Sequence, residues 1–247
     1  MYSQLIVLSE AVEGRHEEFN DWYSWVHIRD VMRLSRVVIA VQRFRRAEHP
    51  LAPSSARYPQ PYLAIYETSD PKRMTDDHRL VFTDEMPISS AYSFNNICEA
   101  YYDTIALKGP TPAHAPRADL IVERVESTTA SPAFLDWYLE TRFAALCKLD
   151  HVVSGLVGKS SAHQMYEAGA RPELTAIYRS TDLARSLQAW SRDGADIAID
   201  CYTPVIDRLT ATSVLAPDPA SQEMARAKRE AMGDRVHAGA PGFTGFR

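Results

Sequence analysis

Three short motifs occur twice in this chain, and in the same order. Leu5-Ile6-Val7 returns as Leu120-Ile121-Val122, and the segment EFNDWY from Glu18 to Tyr23 returns as AFLDWY from Ala133 to Tyr138, both at an offset of 115 residues. AIYETSD from Ala64 to Asp70 returns as AIYRSTD from Ala176 to Asp182, at an offset of 112. Two motifs in register, with the third slipped by a loop-sized difference, point to a repeated unit of roughly a hundred residues. A chain built this way must fold as two similar modules and find a way to pack them.

Each copy reads in the same sequence of elements. In the first, QLIVLSEAV is a strand. EEFNDWYSWVHIRDVMRL is a helix whose Phe19, Trp22, Tyr23, Val26 and Leu34 fall near one stripe. VVIAVQRF and PYLAIYET are strands, separated by a loop rich in proline and serine. A weaker helix between about residues 70 and 87 and a last strand, FNNICEAYYDTIAL, complete the copy. The second copy runs DLIVERVES, a helix with Ser131 as N-cap and Pro132 in its first position, VVSGLVGK, ELTAIYRS, a helix from DLARSLQAWSRDG and the strand DIAIDCYTPVI.

The order βαββαβ is the ferredoxin-like unit. The expected fold class is therefore α+β, with two tandem ferredoxin-like units whose antiparallel sheets form an α+β barrel. Both helices cover one face of each four-stranded sheet, and the other face is left bare. Such faces are not stable alone and close on each other, which makes the space between the sheets the expected ligand cavity. Residues 1–107 form the first unit, 108–118 a proline-rich linker, 119–210 the second unit and 211–247 a charged helical tail. That tail is either a solvated, partly ordered surface helix, or an element that covers the pocket mouth or clasps a second chain. Whether the units close within one chain or pair with a second chain, as a homodimer, is open.

Composition limits the partners. The net charge is -5, which disfavours nucleic acid and anionic membranes, and no window approaches the apolar length of a transmembrane helix. Three scattered cysteines and no secretory leader pattern point to a reducing, cytoplasmic setting. Nucleotide-binding glycine loops, a nucleophile elbow and zinc-ligand spacing are all missing, so the expected cofactor is none, no metal is expected, and the expected partner is a small-molecule substrate.

The helix of the first copy, with Phe19, Trp22-Tyr23, His27, Asp30 and Val31 in order, followed by an arginine-bearing strand and PYLAIYE, resembles the dimeric α+β barrel superfamily, and within it the EthD-like branch. A proline that often follows the histidine by two in such families is replaced here by Arg29. The resemblance implies a superfamily that spans cofactor-free dehydratases and cyclases of aromatic polyketides, muconolactone isomerases, small monooxygenases and haem-dependent members. Fold kinship gives that range and no choice within it. For the haem-dependent option, His151 and His163 flank a strand and do not sit on a predicted helix.

Tyr23, His27 and Asp30 share one helix face at α spacing. The histidine is the expected proton carrier, with the carboxylate fixing its tautomer and the phenol holding a substrate oxygen. A local alternative has Asp30 paired with Arg33 or Arg29. Adding 115 maps Tyr23 to Tyr138, His27 to Arg142 and Asp30 to Ala145, so the first copy alone carries the imidazole and the carboxylate. Arg142 and Tyr138 become pocket walls. Arg43 is expected to point between the sheets or to form a rim ion pair with Glu67 or Glu99. Tyr66, Trp22 and Asn96 are further substrate contacts, while His49, His78 and His114 are expected in solvent. The expected activity is a cofactor-independent lyase or isomerase acting by proton transfer on a small aromatic or oxygenated substrate. A non-enzymatic binder of hydrophobic ligands, or a haem-dependent or monooxygenase-type member, is the alternative.

Overall fold

The computed structural model describes residues 2–52, 57–81, 83–109, 117–165, 171–190, 197–233 and 236–237. The prolines of the linker, His114, the end of the helix expected over 182–194 and the last ten residues lie outside the described residues. The first half contains β1 (Ser3–Ala11), α1 (His16–Trp22), a π-turn (Tyr23–His27), α2 (Ile28–Leu34), β2 (Val38–Ala47), β3 (Tyr62–Thr68), α3 (Pro71–His78), β4 (Ile88–Ser89) and β5 (Tyr92–Lys108). The second contains β6 (Asp119–Val125), α4 (Pro132–Trp137), a π-turn (Tyr138–Phe143), α5 (Ala144–Leu146), β7 (Val152–Ser160), β8 (Leu174–Ser180), α6 (Leu183–Ala189) and β9 (Ile197–Pro204). After them come β10 (Leu209–Thr210), α7 (Ala211–Leu215), α8 (Pro219–Met232) and β11 (Val236–His237).

The halves share one antiparallel sheet in the order β2-β3-β1-β5-β7-β8-β6-β9, and β9 returns to pair with β2. The result is a closed α+β barrel formed within one chain. Its two seams are related in kind. The end of β5 pairs with β7 (Leu107 opposite Leu156), and the end of β9 pairs with β2 (Pro204 opposite Phe44). Closure leaves no strand edge exposed around the ring, except where β10 extends β2.

Alternation along each strand sorts its residues to two places. Leu5, Val7, Val41, Tyr62, Ala64, Tyr66 and Tyr101 face outward and pack under Phe19, Trp22, Tyr23 and Val26. Ile121, Val125, Val157, Ala176, Tyr178 and Cys201 do the same under Tyr138, Phe143 and Leu146. The opposite parity, including Ile6, Leu8, Phe44, Leu63, Ile65, Leu120, Val122, Ile177 and Tyr202, fills the barrel. This corrects the expected ligand cavity between the sheets: the inward side chains are large and branched and meet across the axis. Two lumen voids lined by described residues measure about 10 and 20 Å³, close to the size of a water, and neither admits a small aromatic substrate.

The first repeated motif also shifts. Leu5 stands opposite Tyr66, and its structural counterpart opposite Tyr178 is Ile121, not Leu120. Leu5 faces the helices while Leu120 faces the lumen. A one-residue slip in a strand exchanges its faces, so identical letters here do identical work only after moving one place. The helix motif needs no such shift, because Tyr23 meets Tyr66 as Tyr138 meets Tyr178.

Local capping follows the sequence. Ser131 accepts from the Phe134 amide with Pro132 in the first turn, and Asp70 and Asp182 cap α3 and α6 in the same way. Helix α8, begun by Asp218 and Pro219, lies across the first half's helix. Lys228 reaches Asp21 at 2.7 Å, Arg229 reaches Asp30 at 2.6 Å and Met232 is buried in the first core. Beyond it β11 pairs with β4. No helix among the described residues is long and apolar enough to cross a membrane.

Candidate active site

The two interfaces between helix and sheet are built on one plan and finished differently. In the second half, Glu123 of β6 points out of the barrel beneath the helix. Arg142 binds it through Nε and Nη2, the latter at 2.6 Å, and Trp190 Nε1 donates to it at 2.7 Å. Tyr138 donates its hydroxyl to the same carboxylate and lies 3.0 Å from the Tyr178 hydroxyl. Burial and the neighbouring negative charge push both phenols well above their usual range. Every arm of this carboxylate is used. Tyr138 and Arg142, expected to line a ligand pocket, are tied up in that network, which corrects their assignment: a guanidinium held by a buried carboxylate is not free to receive an anion.

In the first half the phenol pair is kept, with Tyr66 donating to Tyr23 at 3.1 Å. What surrounds it changes. Position 142 becomes His27, and the counterpart of Glu123, opposite Ala64 as Glu123 is opposite Ala176, is Val7. The carboxylate stands one strand over instead, as Glu99 of β5, opposite Val7. His27 is wedged beside Trp22 and Tyr23, with ring centroids 4.8 and 4.9 Å away. Both His27 and Glu99 keep partial exposure, yet His27 Nδ1 and Glu99 Oε2 are enclosed and have no hydrogen-bond partner among the described residues. Burial shifts each toward its neutral form. His27 falls to about 3, helped by His78 and Arg43, and Glu99 rises to about 7.

Arg43 does not enter the barrel or pair with Glu67 or Glu99. It is wholly buried under α1, donating to Ser24 Oγ at 2.8 Å, Asn20 Oδ1 at 3.0 Å and the Asn20 carbonyl at 3.3 Å. Its guanidinium lies 4.3 Å from the Tyr23 ring centroid and also covers Phe19 and Tyr62. Burial lowers its pKa to about 10 despite the nearby phenols, and Glu67 is taken by Arg208. The outward parity of residue 43 in β2 is the reason for the correction.

Asp30 is also corrected. Its Oδ1 binds Arg229 at 2.6 Å and Arg33 at 3.6 Å, so it anchors α8 and does not orient His27. A charged guanidinium outcompetes a neutral imidazole for a carboxylate. The wider π-turn also carries residues after it off the stripe drawn at α spacing. Trp22 is core, with Nε1 donating to the Pro87 carbonyl at 3.2 Å. Asn96 lies at the barrel rim, reaching Glu10 at 3.4 Å, away from this interface. His78 is not in solvent: it is partly buried on the His27 side, and burial lowers its pKa to about 4. Glu99 and His78 were missed at the level of sequence. The signal for Glu99 was its parity with Ile97 and Tyr101, which places a carboxylate on a strand's covered face.

Among the described residues no cluster of three or more histidine, cysteine or carboxylate side chains is set to hold a metal. The second interface is filled by Glu123, Arg142, Tyr138 and Trp190, and that donor set, with no histidine in it, does not suit a haem.

No known protein family and no curated protein matches this sequence. Solved structures do match in shape. A proposed monooxygenase from Fusobacterium nucleatum subsp. nucleatum has a TM-score of 0.53 at 7% identity, over 83% of this chain and 93% of that one. An anthrone oxidase-like protein reaches 0.55 at 8% identity, over 88% and 96%. A proposed monooxygenase from Lactobacillus acidophilus gives 0.50 at 8% identity, over 85% and 96%. The chain shares the α+β barrel fold of these proteins.

Proposed function

We propose that the chain is a cofactor-independent enzyme that moves a proton on a small aromatic, oxygen-bearing substrate at the helix–sheet interface of its first half. One observation carries this: among the described residues His27 and Glu99 each hold an enclosed polar atom without a partner, beside Tyr23, Tyr66 and Arg43, whereas the carboxylate of the matching interface, Glu123, accepts from Arg142, Tyr138 and Trp190. Unsatisfied buried groups are costly and persist where they serve a ligand.

Glu99, with its pKa near 7, is poised to accept a proton at neutral pH. His27 is held neutral and serves as a hydrogen-bonding partner for the substrate. Tyr23, Tyr66 and the Arg43 charge stabilise the oxyanion left behind. The resulting anion can eliminate, isomerise or cyclise, which is lyase or isomerase chemistry. An electron-rich aromatic anion also reacts with dioxygen, and the names of the structural neighbours favour that second outcome. The repeated motifs further support descent from a duplicated EthD-like unit.

The test is turnover of hydroxyaromatic ketones such as anthrones, with and without oxygen-electrode recording. Glu99→Gln and His27→Ala should each lower kcat by about 10²–10⁴-fold, with circular dichroism unchanged. Activity should rise through about pH 7 as Glu99 ionises. Full activity in both variants would refute the proposal. Oxygen uptake separates oxygenation from elimination.

A further inference from the structure

The end of the barrel lumen near the chain's start holds a polar cluster that the outer-face site does not use. Arg179 of β8 points inward and is 5% exposed. Among the described residues its side chain makes one hydrogen bond, to Gln42 Oε1 at 2.8 Å. The carboxylate of this cluster, Glu67, is bound at both oxygens by Arg208, at 2.9 and 2.7 Å. Two guanidiniums therefore share one carboxylate, and among the described residues the enclosed Arg208 Nη1 and Tyr2 hydroxyl have no partner. An excess of buried positive charge is costly and calls for a counter-ion.

A cavity of about 20 Å³ opens beside Arg179. Its walls include Ile65, Leu107, Leu156 and Ile177, with Gln4 and Glu67 at the polar end. This space takes one water-sized particle and no more. Apolar walls suit a weakly hydrated sphere better than a polyatomic anion that needs several donors. We infer that this lumen pocket binds a single halide-sized monoanion, chloride in practice, on the Arg179 guanidinium. The anion balances the positive charge left over when Arg179 and Arg208 share Glu67. Burial already weighs on Arg179, lowering its pKa to about 10.

Two measurements test this. The Tm of the full chain is followed as sodium gluconate is replaced by sodium chloride from 5 to 500 mM at fixed ionic strength. A ligand that binds only the folded state raises Tm with its concentration. The native protein should gain about 3–6 °C, a shift typical of a one-site ligand at about tenfold its Kd. Arg179→Gln should give a flat response. Because that variant could fold poorly, crystals of the native protein soaked in bromide provide the second measurement, with an anomalous peak expected beside Arg179. A flat chloride response in the native protein would overturn the inference, as would no bromide peak in this pocket.

Discussion

Glu123 and Glu99 are both carboxylates beneath a helix that carries a tyrosine and a π-turn, and they live in opposite circumstances. Glu123 is gripped by Arg142, Trp190 and Tyr138, whereas Glu99 has an enclosed oxygen with no donor. The same packing plan has been completed for stability on one side of the barrel and left unsatisfied on the other. Repeat symmetry in packing therefore does not extend to the polar atoms beneath the two helices.

The largest consequence concerns Glu123. Glu123→Ala strands a buried guanidinium and removes the acceptor of two further donors, so it should cost about 3–5 kcal/mol in urea unfolding. Glu99→Gln removes a carboxyl that burial already favours in its protonated form, and should stay within about 1 kcal/mol at pH 7. Equal losses would erase the contrast.

The pH dependence comes next. Glu99 is raised from 4.5 to about 7, so its burial is fully tolerated below pH 4.5, and stability falls as pH rises through that window. His27 is lowered from 6.5 to about 3, so its share is intact above pH 6.5 and is lost as pH falls toward 3. Glu99→Gln should flatten the first limb and His27→Gln the second, as read from unfolding free energy against pH.

A smaller effect attaches to the strap over the first half. Arg229→Ala leaves Asp30 buried beside the half-exposed Arg33 and should cost about 1–2 kcal/mol. Adding Asp30→Asn should recover most of it, which a double-mutant cycle would measure.

Much of the barrel was legible because alternation and helical spacing are local properties of the sequence. The βαββαβ order, the Ser131 cap and the Tyr23 and Tyr138 anchors needed nothing further. Closure through the β5–β7 and β9–β2 seams was not legible, since each joins residues far apart in the chain. The opposite facing of Leu5 and Leu120 was not legible in the matching letters, because a period of two inverts with a slip of one. Asp30 was assigned to His27 because its true partner, Arg229, lies 199 residues away on a helix of unmarked destination. Glu99 stood in plain view on a covered strand face, but a carboxylate there reads first as half of an ion pair, and only the folded arrangement leaves its Oε2 without a partner among the described residues.

The most direct test places one substitution at two equivalent positions. Arg142→Gln breaks the closed network and should lower Tm by about 10 °C, the scale set by a broken buried ion pair in a chain of this size. His27→Gln, at the matching position across the repeat, should lower it by less than about 3 °C. A His27→Gln loss as large as that of Arg142→Gln would mean that both halves are held together in the same way, and would contradict the division of labour between them.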